Sequence, residues 1–377
     1  MNFKMNKAVL NNAIKKVSGA INPNTPIPAL TGMHLAANQD SLTITGGDSD
    51  LFIRTFIPSD ETEGVEIIEE GSIILPAKEL AGIAQKMPKD LIAFATTDET
   101  KMQISSGKSN FTLNGANGSD YPKLPKVEGD SYPVKGQVLQ ELVEKTAYAT
   151  SNMETRPVLT GANLFHQEGS IGMVATDSHR LSKVVGEEQL EGDISPVTIP
   201  EKTLQKLPKL IGDAETVHVK QTDSQIMFQT EEIQVFSRLL DGNYPQTDRL
   251  ISAEHKTRLT TNRKDFLSSM ERSTILAEKG KQIVTLEIKD ENSGIFETIK
   301  LSHNSDEVGQ SIEDIIVDET EGEEIKISFN AQFMIDALKR IDDEKVVIEF
   351  NGAMRPFIIK PENKTHFIQL ILPVRTY

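Results

Sequence analysis

One pattern of helix, strand and turn recurs three times along this 377-residue chain, and internal repetition on that scale narrows the fold more than any local signal. Residues 6–18 (NKAVLNNAIKKVS), 135–150 (KGQVLQELVEKTAYAT) and 262–277 (NRKDFLSSMERSTILA) each place apolar side chains at i, i+3, i+4 and i+7, the period of an amphipathic helix. In the first copy the stripe is Leu10, Ala13, Ile14 and Val17. A second helical segment follows in every copy, at 74–88, 198–211 and 328–341. Pro76 and Pro200 suit a first helical turn, where a missing N–H is harmless, and Asn330 suits an N-cap. Pro208 should kink or shorten its helix.

Between the helices lie short alternating runs such as SLTITGG, LFIRTFIP, FTLNG, IQVFSRLL and FIIKP, which read as antiparallel strands closed by Gly and Asp turns. The matching turns GSDYP (118–122) and DGNYP (241–245) mark the ends of the first two units. The expected architecture is α+β, with three tandem similar units at 1–129, 130–253 and 254–377, each two helices packed on antiparallel sheets.

The octet ATDSHRLS (175–182) sets Asp177, Ser178 and His179 side by side, which invites a hydrolase reading. The repeat argues against it. Val9-Leu10 aligns with Val138-Leu139 at an offset of 129, and the same offset carries Asp48-Ser49 onto Asp177-Ser178. Asn304-Ser305 stands near the equivalent place in the third copy. An Asx-Ser pair between two strands is turn chemistry, because both side chains bond to nearby backbone. Adjacent residues also cannot give a nucleophile its base and that base its orienter. What is specific to the second unit is His179-Arg180, so no catalytic residue is assigned and the chain reads as non-enzymatic.

Zero cysteines exclude disulfides and thiolate metal sites, and the seven His residues show no ligand spacing. No phosphate-cradling glycine motif occurs, so no cofactor is expected. No apolar run is long enough for a signal peptide or a membrane span, which points to the cytoplasm. Net charge is −16, ordinarily a mark against polyanion partners. The charge is unevenly spread, however: the helical stretches 6–18, 76–89, 136–151, 200–211, 262–281 and 330–341 together carry +9 and the remainder −25. Lys15, Lys16, Lys78, Lys86, Lys202 and Lys206 fall opposite the apolar stripes of their helices, so packing the stripes on sheets turns the lysines outward. Acid-rich stretches at 60–70 and 306–324 read as a solvated face that repels polyanions.

Three tandem units, with TDSHRL in the second, DGNYP after it, GAMRPFIIKP and a terminal LPVR, together resemble the bacterial sliding clamps, the beta subunits of DNA polymerase III. The resemblance spans the whole chain. It implies a head-to-tail homodimeric ring around double-stranded DNA, held without sequence preference. Helix geometry agrees, since six helices about 10 Å thick leave a hole under about 10 Å, whereas twelve leave roughly 25 Å. The resemblance implies subunit contacts at Phe111, Ile275 and Leu276, although Phe111 also fits an ordinary strand core. It further implies a groove taking short linear peptides from the DNA polymerase III alpha subunit, the clamp loader and repair proteins. In the second unit that groove maps onto Leu159, Thr176, His179, Arg180 and Leu181. Pro245 and Leu250 follow on the connector, and Met354, Pro356, Leu370, Leu372 and Arg375 on the third unit. The apolar terminal run FIQLILPVRTY suits a docked strand forming one wall. Two features depart from the family pattern: Ser178 replaces a common Gly, and the loop 21–28 carries no basic residue. A peptide-binding scaffold that does not encircle DNA is the alternative reading.

Overall fold

The computed structural model describes the chain except residues 61–63, 190–193, 252–253, 278–281, 290–296, 306–307 and 376–377. Parts of both acid-rich stretches, and the last four residues of the 262–281 segment, lie outside the described residues.

The helices form where the periodicity places them: α1 (Lys7–Ser18), α2 (Ala77–Lys86), α3 (Gly136–Thr146), α4 (Glu201–Leu204), α5 (Leu207–Ile211), α6 (Arg263–Ser273) and α7 (Ala331–Leu338). Leu10, Ala13, Ile14 and Val17 are the buried face of α1. Three helices start on asparagine: the Oδ1 atoms of Asn6, Asn262 and Asn330 accept from Ala8, Lys264 and Gln332 N–H at 2.7, 3.0 and 2.9 Å. Each satisfies one of the donors that a helix start leaves open. Pro76 and Pro200 stand immediately before α2 and α4 rather than inside them. Pro208 limits the 198–211 segment to two short pieces, α4 and α5, joined at Gln205 and Lys206. The helix expected to reach residue 277 ends at Ser273, where Ser273-Thr274-Ile275 lowers helix propensity through hydroxyl competition and β-branching. Among the described residues no helix is long and apolar enough to cross a membrane.

All pairings between the named strands are antiparallel, in sheets of five, nine, nine and four strands. Each nine-stranded sheet is two half-sheets from neighbouring repeats joined edge to edge. In the first, Leu51–Pro58 pairs with Ile233–Arg238, with Phe52 opposite Phe236. In the second, Arg180–Gln189 pairs with Phe367–Ile371, with Leu181 opposite Leu370. The repeat offset of 129 carries Phe52 onto Leu181, so these are two versions of one joint. A backbone bond confirms it: Arg238 N–H donates to Asp50 O at 2.8 Å, and Leu372 N–H to His179 O at 2.9 Å. Such joints explain why packing divides the chain into two units that cut across the middle repeat, Met1–Leu139 with Lys202–Leu239, and Gln140–Glu201 with Leu240–Tyr377.

Candidate functional site

The TDSHRL turn sits at one end of the second joint. Asp177 Oδ1 accepts from His179 and Arg180 N–H at 2.8 and 3.0 Å, just as Asp48 Oδ1 accepts from Asp50 and Leu51 N–H at 3.0 and 2.9 Å. The Asp is therefore an Asx-turn acceptor in both repeats. Ser178 has φ 79°, in the left-handed region where glycine carries no Cβ penalty; the local geometry suits a glycine better than the serine found here. The Thr176 hydroxyl donates to Arg180 O at 2.6 Å and accepts from Ser178 N–H, which locks the turn from below.

Successive strand residues point to opposite faces, and this separates Arg180 from Leu181. Arg180 turns inward among ion partners. Its Nε donates to Asp177 at 3.0 Å, Nη1 to Asp336 on α7 at 2.6 Å, and Nη2 to Tyr148 O at 2.8 Å. Its guanidinium also lies 4.7 Å from the Phe333 ring centroid. Arg180, which the resemblance placed in the groove, thus ties elements of the second and third repeats together.

On the other face, Leu181 and Leu370 are buried with Val174, and Phe165, Tyr244, Ile251 and Leu372 pack around them. Leu159 is buried in the same packing unit. Tyr244 anchors the connector: its hydroxyl accepts from Thr176 N–H at 3.0 Å and donates to Gly161 O at 3.5 Å. Burial drives its phenol well above the ordinary tyrosine range, which keeps it neutral. Leu250 and Met354 are large, apolar and exposed, Pro245, His179 and Arg375 are exposed, and Pro356 is half-buried. Ile251 also lines a cavity of about 230 Å³ with Ile368, Val185, His366 and Gln167; on its wall Lys183 is paired with Asp248 at 2.7 Å. Val174, Phe165, Tyr244 and Ile251 were not singled out from sequence. Alternation along SIGMVAT, two residues before Thr176, is the signal that would have found Val174.

The six lysines all belong to one packing unit. Lys15, Lys78 and Lys86 are exposed on α1 and α2, which pack on each other. Lys16 is half-buried and paired with Glu232 at 2.8 Å. Lys202 donates to the buried carboxylate of Asp48. Burial raises the Asp48 carboxyl, but the Lys202 ammonium and two backbone N–H groups outweigh it and hold it below the usual range. Lys206 is lowered, first by burial and then by neighbouring Lys202. Its stem runs beside the end of α1, where a Cβ at Gly19 would lie 3.7 Å from Lys206 Cε. The charges of Lys16 and Lys202 are therefore already partnered within the chain.

Of the strands equivalent to those that form the two joints, two are outermost in their sheets among the described residues: Ser109–Asn114, the counterpart of Ile233–Arg238 and Phe367–Ile371, and Gly309–Val317, the counterpart of Leu51–Pro58 and Arg180–Gln189. Register makes the first comparison residue by residue. Ile104, Phe228 and Ile359 stand opposite Phe111, Val235 and Gln369. Val235 is 0% exposed and Gln369 1%, whereas Phe111 is 46% exposed. Phe111 thus occupies a position that a neighbouring strand covers in both joints. Ile312 and Ile316 on Gly309–Val317 are also exposed, as is Ile275 just past α6, with Leu276 half-buried beside it.

Residues 1–125, 133–246 and 248–375 match, in order, the N-terminal, central and C-terminal domains of the DNA polymerase III beta subunit. Beta sliding clamps of Bacillus subtilis strain 168 and Staphylococcus aureus are 39% and 38% identical to the chain, covering 100% and 98% of it and 100% and 96% of their own lengths. The crystal structure of the DNA polymerase sliding clamp from Bacillus subtilis superposes with a TM-score of 0.94 at 38% identity, over 100% of both chains. The beta subunit from Streptococcus pyogenes gives 0.93 at 33% identity, again over 100% of both. With its repeats, joints and turns shared over the full length, this chain belongs to the DNA polymerase III beta subunit family, the beta sliding clamps.

Proposed function

We propose that two copies of this chain close head to tail into a ring around duplex DNA and tether the replicative polymerase to its template. The observation that carries the reading is the pair of unpartnered edges. The two joints within the chain unite a Leu51–Pro58-type edge with an Ile233–Arg238-type edge, and one edge of each type is left over. A second copy supplies what each lacks, and heterologous contacts repeated by rotation close into a ring. Phe111 of one copy then meets the Ile275–Leu276 corner and the exposed isoleucines of the other.

A ring holds DNA by enclosure, so its cations need little affinity per phosphate. Lys15, Lys78, Lys86 and Lys206 supply charge that reads no sequence, and contacts through water let the ring slide. Lys16 and Lys202 contribute less, since each already faces a carboxylate. The protein acts without catalysis, in the cytoplasm. The Leu181, Leu370 and Leu372 face, with Leu250 and Met354 on its rim, takes short apolar peptides from the polymerase alpha subunit, the clamp loader and repair proteins.

Primer extension on a primed single-stranded circle tests this reading. With its cognate polymerase and clamp loader, the chain should convert short distributive products into full-circle products. Replacing Leu372 with Asp should abolish that conversion while the dimer persists. Product lengths that ignore the protein altogether would remove the tethering role.

A further inference from the structure

The face that carries Leu181 and Leu370 does not end with them. Two residues along the same strands, and on the same side of the sheet, Lys183 stands opposite Ile368. Beside this pair lies the cavity of about 230 Å³, and Ile251 joins it to the apolar cluster around Leu181. Pockets that hold whole small-molecule ligands start at about 300 Å³, so this one has room for a side chain rather than a cofactor. All of its lining residues belong to one packing unit.

The cavity is apolar on one side and polar on the other. Val185, Ile251 and Ile368 line the first, Gln167, Lys183 and Asp248 the second. The Lys183 side chain is only 11% exposed, yet its partner Asp248, 2.7 Å away, is 73% exposed. Among the described residues the ammonium otherwise donates to Gln167 Oε1 at 3.0 Å and lies 5.0 Å from the centre of the Phe165 ring. It has three donors, and neither the amide oxygen nor the ring carries a charge. The cation is thus fixed within the protein, whereas the anion that neutralises it sits on the connector turn Thr247–Leu250, largely in water. A carboxylate arriving from outside can replace Asp248 at low cost, because an ion pair so exposed on one side contributes little and Asp248 returns to solvent it already meets. His366, also on the wall, has its own carboxylate, with Glu187 Oε1 3.2 Å from Nδ1.

We propose that this cavity is a specificity pocket for an acidic side chain, so that the chain prefers linear peptides carrying a glutamate two residues from their apolar anchor. The inference rests on the Leu181, Leu370 and Leu372 face binding peptides. An extended peptide laid along that face repeats its side chains on one side every two residues, about 7 Å apart, which is the step from Leu181 to Lys183. The glutamate methylenes meet Val185, Ile251 and Ile368, and the carboxylate meets Lys183. A glutamine of the same shape makes the first contact but forgoes the charge-assisted bond.

Fluorescence anisotropy on the full chain tests it with end-capped, fluorescein-labelled peptides of one design, Ser-X-Ala-Leu-Phe-Ala-X-Ser, in which Leu-Phe is the anchor. Both X positions are glutamine in the reference peptide; two further peptides carry glutamate at one X or the other. The reference peptide should bind the wild type and fail to bind Leu372→Asp. Strand direction decides which X reaches Lys183, so glutamate at one position and not the other should tighten binding at least about five-fold, the effect of one charge-assisted hydrogen bond less the loss of Asp248. Lys183→Met should erase that gain and leave the reference peptide within about two-fold of its wild-type affinity. Should Lys183→Met not fold, Asp248→Asn decides: with the competing carboxylate neutralised, the gain should exceed that of the wild type. Equal affinity for the glutamate and glutamine peptides overturns the proposal, as does an equal gain at both positions, which would report bulk attraction. A gain that survives Lys183→Met, or in its absence one that does not grow in Asp248→Asn, overturns it too. In each of these cases the reference peptide still binds and the groove stands. If no peptide binds, the groove reading falls and the pocket falls with it.

Discussion

Placing a carboxylate at position 111, as Phe111→Asp, is expected to leave a folded single chain of 41.7 kDa where the wild type runs at about twice that mass. The side chain is half exposed in the lone chain, so the change costs little in monomer stability. In the closed ring its counterparts predict near-complete burial, and an unpaired charge taken out of water is penalised by several kcal/mol. That corresponds to a loss of about a hundred-fold or more in dimer affinity. Light scattering and circular dichroism together check it: unchanged secondary structure with halved mass is the expected result. A Phe111→Asp protein that stays dimeric at the wild-type midpoint would place the subunit contact elsewhere.

Removing the Arg180 side chain, as Arg180→Ala, is expected to be among the most destabilising single changes in the second joint. The guanidinium is mostly buried, and its loss leaves the carboxylates of Asp177 and Asp336 without their cation and Tyr148 O without its donor. Breaking one partner out of such a cluster typically costs about 3–5 kcal/mol. The lower end fits here because Asp336 keeps some exposure to water. At roughly 2–4 °C per kcal/mol for a protein of this class, a melting temperature lower by about 6–12 °C follows. Arg180→Lys should recover only part of it, since an ammonium cannot span three divergent acceptors. Peptide affinity should fall in step with the loss of the turn's geometry. A melting temperature within a degree of the wild type would show that the ion cluster contributes nothing net.

Much of the fold was legible because it is written locally. The stripe Leu10, Ala13, Ile14 and Val17 follows from helical period, the break at Pro208 from its missing N–H, and the Asp48 and Asp177 turns from their recurrence. What stayed hidden depends on partners far away in sequence. Arg180 entered as a groove residue through family resemblance, and its tie to Asp336 stayed hidden because Asp336 is 156 residues distant. Lys16 and Lys202 looked free because Glu232 and Asp48 are 216 and 154 residues away. Alternation marks a strand but does not say which edge it joins, so neither nine-stranded sheet could be read from the residues. The groove residues Leu181, Leu370 and Leu372 came from family resemblance, and the structure brings these three together. Phe111 was ambiguous between core and interface until register set it beside Val235 and Gln369. It occupies a position that a neighbouring strand covers in both joints yet is exposed in the single chain, which is the ground for proposing it as a subunit contact.

Enclosure makes one demand that no other mode of DNA binding shares. Protein loaded onto nicked circular DNA, then carried through gel filtration, should remain with the circle and leave it once a single double-strand cut lets the ring slide off an end. Equal retention on cut and uncut DNA, or no retention on either after successful loading of a control clamp, would contradict a topological hold and leave a peptide-binding scaffold as the better description.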